Sequence, residues 1–170
     1  MNHTIVKKEL SNGQIENYKV VNGTYFKEET NDKVIDLLED ARLNNSRIRI
    51  FYGDTSTGKS WLDEYDVLGY IGRSTGETKI PLLISTRSSF GGSALLDSCI
   101  VKITKDKRTI YEHPKFHIGN VEIKDADSDI VKKGYLFSVF VDSKLHANFR
   151  SKERAENWVE FMKGTRNKAY

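Results

Sequence analysis

Three cations stand in loops whose composition suits an anion: Lys59 in GDTSTGKS (53–60), Arg73 in GRSTGE (72–77) and Arg87 in TRSSFGG (86–92). Glycine, serine and threonine place backbone N–H groups and hydroxyls close together, and a basic side chain beside them completes an electrostatic environment that fits phosphate. Asp54, Thr55 and Ser74 add further polar groups to the same loops, and Tyr52 and Trp61 flank the first loop with aromatic faces on which a base could stack. The chemistry these residues point to is the holding of a phosphate-bearing, nucleotide-type ligand. The competing reading is that the glycines serve tight turns and the cations are solvated.

Residues 53–60 match the P-loop pattern GxxxxGK[ST] letter for letter. A P-loop needs a strand buried on both faces before it and a long helix after it, in a parallel sheet. Here Arg47 and Arg49 alternate with isoleucines as in a half-exposed strand, Gly69 cuts the following segment short, and strands follow in hairpin order. The only Walker B candidate, LFSVFVD ending at Asp142, reads as a hairpin strand. The match is therefore expected to be fortuitous. So is GRSTG (72–76), which imitates the nucleophile elbow GxSxG but runs into Ile80-Pro81 and a strand. The protein leans away from being an enzyme, with no catalytic residue assigned.

Metal and thiol chemistry find no better support. Asp125, Asp127 and Asp129 begin like an EF-hand loop, but Ile130 stands where glycine is required and Leu136 where the bidentate glutamate belongs. His113 and His117 are four apart, yet Pro114 makes that segment extended. The single cysteine, Cys99, lies in the apolar run SCIVKI and reads as a buried reduced thiol. No metal and no cofactor are implied.

The elements that must position these loops are mostly strands. Residues 15–26 give one or two strands broken at Asn22-Gly23; Thr30 caps a helix over 31–43; Arg47 to Tyr52 forms a strand with Ile48, Ile50 and Tyr52 on one face and Arg47, Arg49 and Phe51 on the other. Further strands are expected near 66–71, 79–85, 98–104, 108–112 and, more weakly, 117–124, with Pro81 marking an edge. Residues 124–133 read as a polar loop. GYLFSVFV and KLHANF form a hairpin about Asp142-Ser143, and Ser151 caps a last helix that stops at Gly164. Hairpin order with few helices means α+β: a mainly antiparallel sheet or partial barrel of about seven strands with two helices packed against it, one domain over residues 1–170 with loose ends at 1–14 and 165–170.

Composition sets outer bounds. A chain of 170 residues with 38% hydrophobic and 30% charged residues falls in the globular range and has enough length for one core. Its net charge of +3 permits a polyanionic partner without demanding one. The start MNHTIVKKEL has no apolar leader and no run approaches about 18 apolar residues, so the expectation is a cytoplasmic protein with no membrane association.

The block YGDTSTGKSWLDEYDVLGYIGRSTGETKIPLLI, with GGSALLDSCIVKI after it and HANFRSKERAENWVEFMKG near the end, resembles a family of small proteins of no known activity carried by bacterial plasmids and phages. The resemblance covers the chain from about Tyr25 onward. It rests on YGDT, GYIGRS and PLLI, while the lysine and serine of the P-loop-like stretch lie outside the family's pattern. It implies a mobile-element setting, in which small proteins act as stoichiometric binders of a host protein, a nucleic acid or a signalling molecule.

The reading that follows is a non-enzymatic binding module holding a nucleotide-type molecule through Tyr52, Asp54, Thr55, Lys59, Trp61, Arg73, Ser74 and Arg87. Two alternatives stay open. One is DNA or RNA binding by the basic C-terminal helix through Arg150, Lys152, Arg154, Lys163 and Arg166. The other is a protein-protein inhibitor of a host factor that uses an apolar patch alternation alone does not reveal.

Overall fold

Three two-residue turns divide much of the chain. Asn22-Gly23 (φ 48° and 78°), Asp106-Lys107 (50° and 67°) and Asp142-Ser143 (49° and 66°) each place two successive residues in the left-handed region. That backbone matches the right-handed twist of antiparallel strands and closes tight hairpins. In the structure, a computed structural model that describes residues 3–61, 67–73, 78–85, 97–163 and 166, these turns link β2 (Ile15–Val21) to β3 (Thr24–Lys27), β8 (Ile100–Lys105) to β9 (Arg108–Glu112), and β11 (Phe137–Val141) to β12 (Lys144–Phe149). The remaining strands are β1 (Thr4–Glu9), β4 (Ile48–Asp54), β5 (Lys59–Ser60), β6 (Val67–Arg73), β7 (Pro81–Ser85) and β10 (Val121–Asp125).

All named strands pair antiparallel and form three open sheets: β1-β2-β3, a central sheet ordered β7-β6-β4-β8-β9 with β5 added to β4, and β10-β11-β12. The helices are α1 (Asp32–Leu43), the short α2 (Ser128–Lys132) and α3 (Lys152–Met162). The α+β class and antiparallel pairing are as expected; about seven strands and two helices become twelve and three among the described residues. The three elements with no expected counterpart, β1, β5 and α2, carry little periodic signal. β1 is half exposed, β5 is two residues long, and α2, which replaces the expected polar loop, buries no side chain. Asp127, one of the calcium-like aspartates, is its N-cap and accepts from the Ile130 N–H at 3.0 Å.

Two apolar layers cover the central sheet. On one face, Ile48, Ile50 and Tyr52 of β4 pack with Val34, Ile35, Leu38 and Ala41 of α1, and with Phe26 from the N-terminal sheet. Thr30 does not cap α1; Asn31 does, its side chain accepting from the Lys33 N–H at 2.9 Å. The Thr30 hydroxyl instead donates to buried Asp97 at 2.6 Å. Pro81 does lie on the edge strand β7, where its missing N–H costs no ladder bond.

The opposite face overturns the half-exposed reading of β4. Arg49 is 2% exposed and Phe51 1%, and Lys102 of β8, which pairs with Phe51, is 5% exposed. The last turn of α3 covers them with Phe161 and Met162, joined by Phe116 and Ile118 from the segment before β10. Arg49 lies 3.6 Å from the centre of the Phe161 ring and Lys102 4.7 Å from that of Phe116. The side of α3 carrying Ala155, Trp158 and Val159 packs on Val139, Phe137 and Phe149 of the C-terminal sheet. α3 therefore lies between two sheets. Ser151 is its N-cap, as expected, accepting from the Arg154 N–H at 3.2 Å. No helix among the described residues is long and apolar enough to cross a membrane.

Phe161 is the shared filler, touching Arg49 by its ring face and closing the second core. Truncation to alanine leaves both a cavity and a buried guanidinium without its ring, so Phe161→Ala is expected to cost about 3–5 kcal/mol in chemical denaturation.

Candidate functional site

Among the described residues β4 pairs with β6 from Ile48 to Ile50, and its last two residues pair with β5: Gly53 opposite Ser60 and Asp54 opposite Lys59. The P-loop-like stretch is thus a β-hairpin with its turn at residues 55–58, and an antiparallel partner stands where a P-loop would start its helix. The N–H groups of Ser56, Thr57 and Gly58 are also already used. Asp54 Oδ1 accepts from the Ser56 N–H at 2.8 Å and the Ser56 hydroxyl at 2.6 Å, while the Asp54 carbonyl takes the N–H groups of Thr57 and Gly58 at 3.2 and 2.7 Å. The loop carries its own anion. The bonds to the carboxylate, led by the one from the Ser56 hydroxyl and then the Ser56 N–H, hold the Asp54 carboxyl below the usual carboxylate range.

A neighbouring segment locks the hairpin. The His117 N–H donates to the Gly58 carbonyl at 3.0 Å and the Ser60 N–H to the His117 carbonyl at 2.9 Å. Gly58 has φ +75°, and a Cβ there would strike the Lys115 carbonyl. Both the dihedral and the close approach require glycine.

The second wall of the site comes from the C-terminal sheet. The Lys59 ammonium donates to the Asp142 carboxylate, which also accepts the Asn120 N–H at 3.0 Å. The Lys59 bond is the larger cause of an Asp142 pKa held below the carboxylate range. Val141 pairs with Lys144 and Val139 with Ala147, so Lys144 and Ala147 fall on one side of β12 although three positions separate them. A bulge absorbs the extra residue, and His146 follows Lys144 onto the site's side.

Between the two hairpins opens a pocket of about 480 Å3. Asp54, Lys59 and Trp61 line one wall; Asp142, Lys144 and His146 line the other. Trp61 is 45% exposed, and its N–H is tied to the Tyr52 carbonyl at 2.7 Å, so the backbone is fixed while the indole faces solvent. Lys59 is engaged by Asp142. Lys144 and His146 make no side-chain hydrogen bond or ion pair among the described residues.

Of the expected ligand-binding residues, the pocket gathers Asp54, Lys59 and Trp61. Tyr52 is 3% exposed within the first core. Thr55 lines a separate cavity of about 210 Å3 with Asp97, Tyr111 and His113. Burial pushes the Asp97 carboxyl up, against the Thr30 hydroxyl and the Lys27 N–H that pull it down. Arg73 donates to the Asn22 carbonyl at 2.8 Å, at the turn of the N-terminal sheet. Ser74 and Arg87 lie outside the described residues.

The cations of the C-terminal helix separate into two groups. Arg150, Lys152 and Arg154 are exposed, with no side-chain partner among the described residues. Arg166 donates to Asn157 Oδ1 at 2.6 Å, and the main-chain carbonyls of Lys163 and Arg166 accept from Lys102 and Arg49. The outer side of α3 carries Glu153, Glu156 and Glu160, all exposed, so the helix does not present a basic face. Burial pushes the Cys99 thiol up, away from nucleophilic chemistry. Among the described residues no group of three or more His, Cys, Asp or Glu is placed to hold a metal ion.

No family model, curated protein or solved structure matches the chain.

Two expectations test this geometry. Gly58→Ala is expected to cost more than about 1 kcal/mol, read by thermal or urea unfolding, because alanine must take a left-handed dihedral against a backbone carbonyl. The Asp142 carboxyl has a folded pKa below its unfolded one, so its contribution to stability is complete above the ordinary carboxylate range and disappears as pH falls through the folded value. The stability gap between wild type and Asp142→Asn is accordingly expected to shrink as pH drops from about 6 to about 3, in urea titrations at each pH.

Proposed function

We propose that the protein is a non-enzymatic binding module that holds a nucleotide-type, phosphate-bearing ligand in the pocket between the β4–β5 and β11–β12 hairpins. One observation carries this reading: a half-exposed tryptophan faces two basic groups that have no side-chain partner among the described residues, Lys144 and His146, across about 480 Å3 of open space. An indole offers a stacking face to any base, worth about 1–3 kcal/mol, and an ammonium free of carboxylate partners supplies a charge-assisted hydrogen bond to phosphate.

The roles within the pocket follow from what each group already does. Trp61 stacks the base. Lys144 and His146 take the phosphate, because Lys59 is held by Asp142 and the hairpin's amides by Asp54. Asp54 and Asp142 repel a phosphate from the Lys59 side and so set the ligand's direction. The mobile-element setting implied by the resemblance suits a binder that acts by sequestering such a molecule.

Nucleotide titration of the wild type is expected to quench Trp61 fluorescence, with the response lost in Trp61→Ala while Trp158 still emits. Lys144→Ala is expected to weaken binding by about tenfold or more, the loss of a charge-assisted bond of roughly 1.5–3 kcal/mol. No quenching and no thermal shift across a nucleotide panel would sink the proposal. Phosphate release from ATP or GTP with magnesium is expected to stay at background for wild type and Lys59→Ala alike, since a hairpin gives the lysine no route to the β and γ phosphates.

A further inference from the structure

We infer that the ligand of this pocket is one unpaired nucleotide of a longer single-stranded nucleic acid, whose backbone runs from the pocket along β12 to Arg150 and Arg154. This rests on the pocket reading and extends it to a partner.

Among the described residues β12 is an edge strand of the C-terminal sheet, bonded to β11 on one side only, and none of its residues is fully buried. Alternate N–H groups along it therefore point away from β11 and remain open. The strand starts in the pocket with Lys144 and His146 and ends at Phe149, immediately before Arg150. Six residues at about 3.3 Å each span about 20 Å, room for several nucleotides.

The far end of that path is basic on the correct side. Trp158 packs on Phe149 of β12 with ring centres 5.8 Å apart, and Arg154 lies one helical turn before Trp158, on the same flank of α3. Arg150 leads directly out of β12. Both arginines are exposed and without side-chain partners among the described residues. Lys152, two positions before Arg154, falls on the opposite flank of α3 and is left out. The outward side of the helix is closed to a polyanion by Glu153, Glu156 and Glu160.

Charge at both ends of an open edge, with a stacking aromatic at one end, fits a strand whose bases are free. A duplex has no unpaired base to give Trp61. DNA and RNA share this chemistry.

Fluorescence anisotropy of labelled dT12 and U12, with the matching mononucleotides and a 12-base-pair duplex as competitors, tests the inference on the full chain. At least one 12-mer is expected to bind ten times or more tighter than its mononucleotide and than the duplex. Its affinity is expected to fall steeply with salt. Arg150→Ala/Arg154→Ala is expected to weaken 12-mer binding at least tenfold and to flatten the log–log salt slope by about 1.4, two phosphate contacts at about 0.7 each, while leaving the mononucleotide affinity unchanged. Mononucleotides that bind through Trp61 as tightly as both 12-mers, a duplex that competes equally with both, or an unchanged salt slope in the double variant overturns the inference and leaves the pocket reading standing. Loss of all Trp61-dependent binding, mononucleotide included, overturns the pocket reading and this inference with it.

Discussion

Two cations buried on one face of the central sheet govern how the molecule is assembled. Arg49 and Lys102 sit on adjacent strands at 2% and 5% exposure, and an ion stripped of water with no partner is too costly to keep in a fold. Most of their partners come from the far end of the chain: the Lys163 carbonyl at 2.6 Å from Lys102, the Arg166 carbonyl for Arg49 and the ring face of Phe161, with the ring of Phe116 added beside Lys102. A helix C-terminus suits the task, since its last carbonyls lack intrahelical donors and its dipole end is negative. Burial still lowers the Lys102 pKa, against a weaker pull from Glu112 at 3.9 Å.

That demand fixes where α3 ends and therefore where it lies. The helix carries the C-terminal sheet on its other side through Ala155, Trp158 and Val159, so docking its last turn on Arg49 and Lys102 also brings the β11–β12 turn to the β4–β5 hairpin. The Lys59–Asp142 pair closes the junction at its solvent edge. Being half exposed, it contributes little to stability by itself, and its effect is positional. The pocket is the gap left where two hairpins meet and cannot fill the space between them.

The P-loop match shows how far a local pattern can separate from its chemistry. Each letter of GDTSTGKS is present, and β4 is central and buried on both faces, as a P-loop strand would be. The exclusion comes from the partner of the lysine strand: β5 returns antiparallel, and Asp54 fills with its own oxygens the amide nest that a phosphate would need. Lysine and serine thereby serve a junction. Gly58 is held by a neighbouring carbonyl and a left-handed dihedral.

Much of the architecture was legible in local sequence. Asn22-Gly23 and Asp142-Ser143 marked hairpins because few residues accept positive φ, Ser151 marked a helix start because its hydroxyl satisfies an orphan N–H, and hairpin order implied an antiparallel α+β fold. The alternation RIRI was legible as a strand but misleading about exposure. Whether an arginine is solvated or buried depends on what covers it, and the cover is a helix end more than a hundred positions away. The same holds for the site. Asp54, Lys59 and Trp61 share one hairpin and could be named together from their spacing, whereas Lys144 and His146 offered no local signal, being one lysine among several and a histidine in an ordinary strand. They became part of a pocket through long-range packing. Residues 59 and 142 are separated by 83 positions along the chain, and only the docking of α3 between two sheets makes them neighbours.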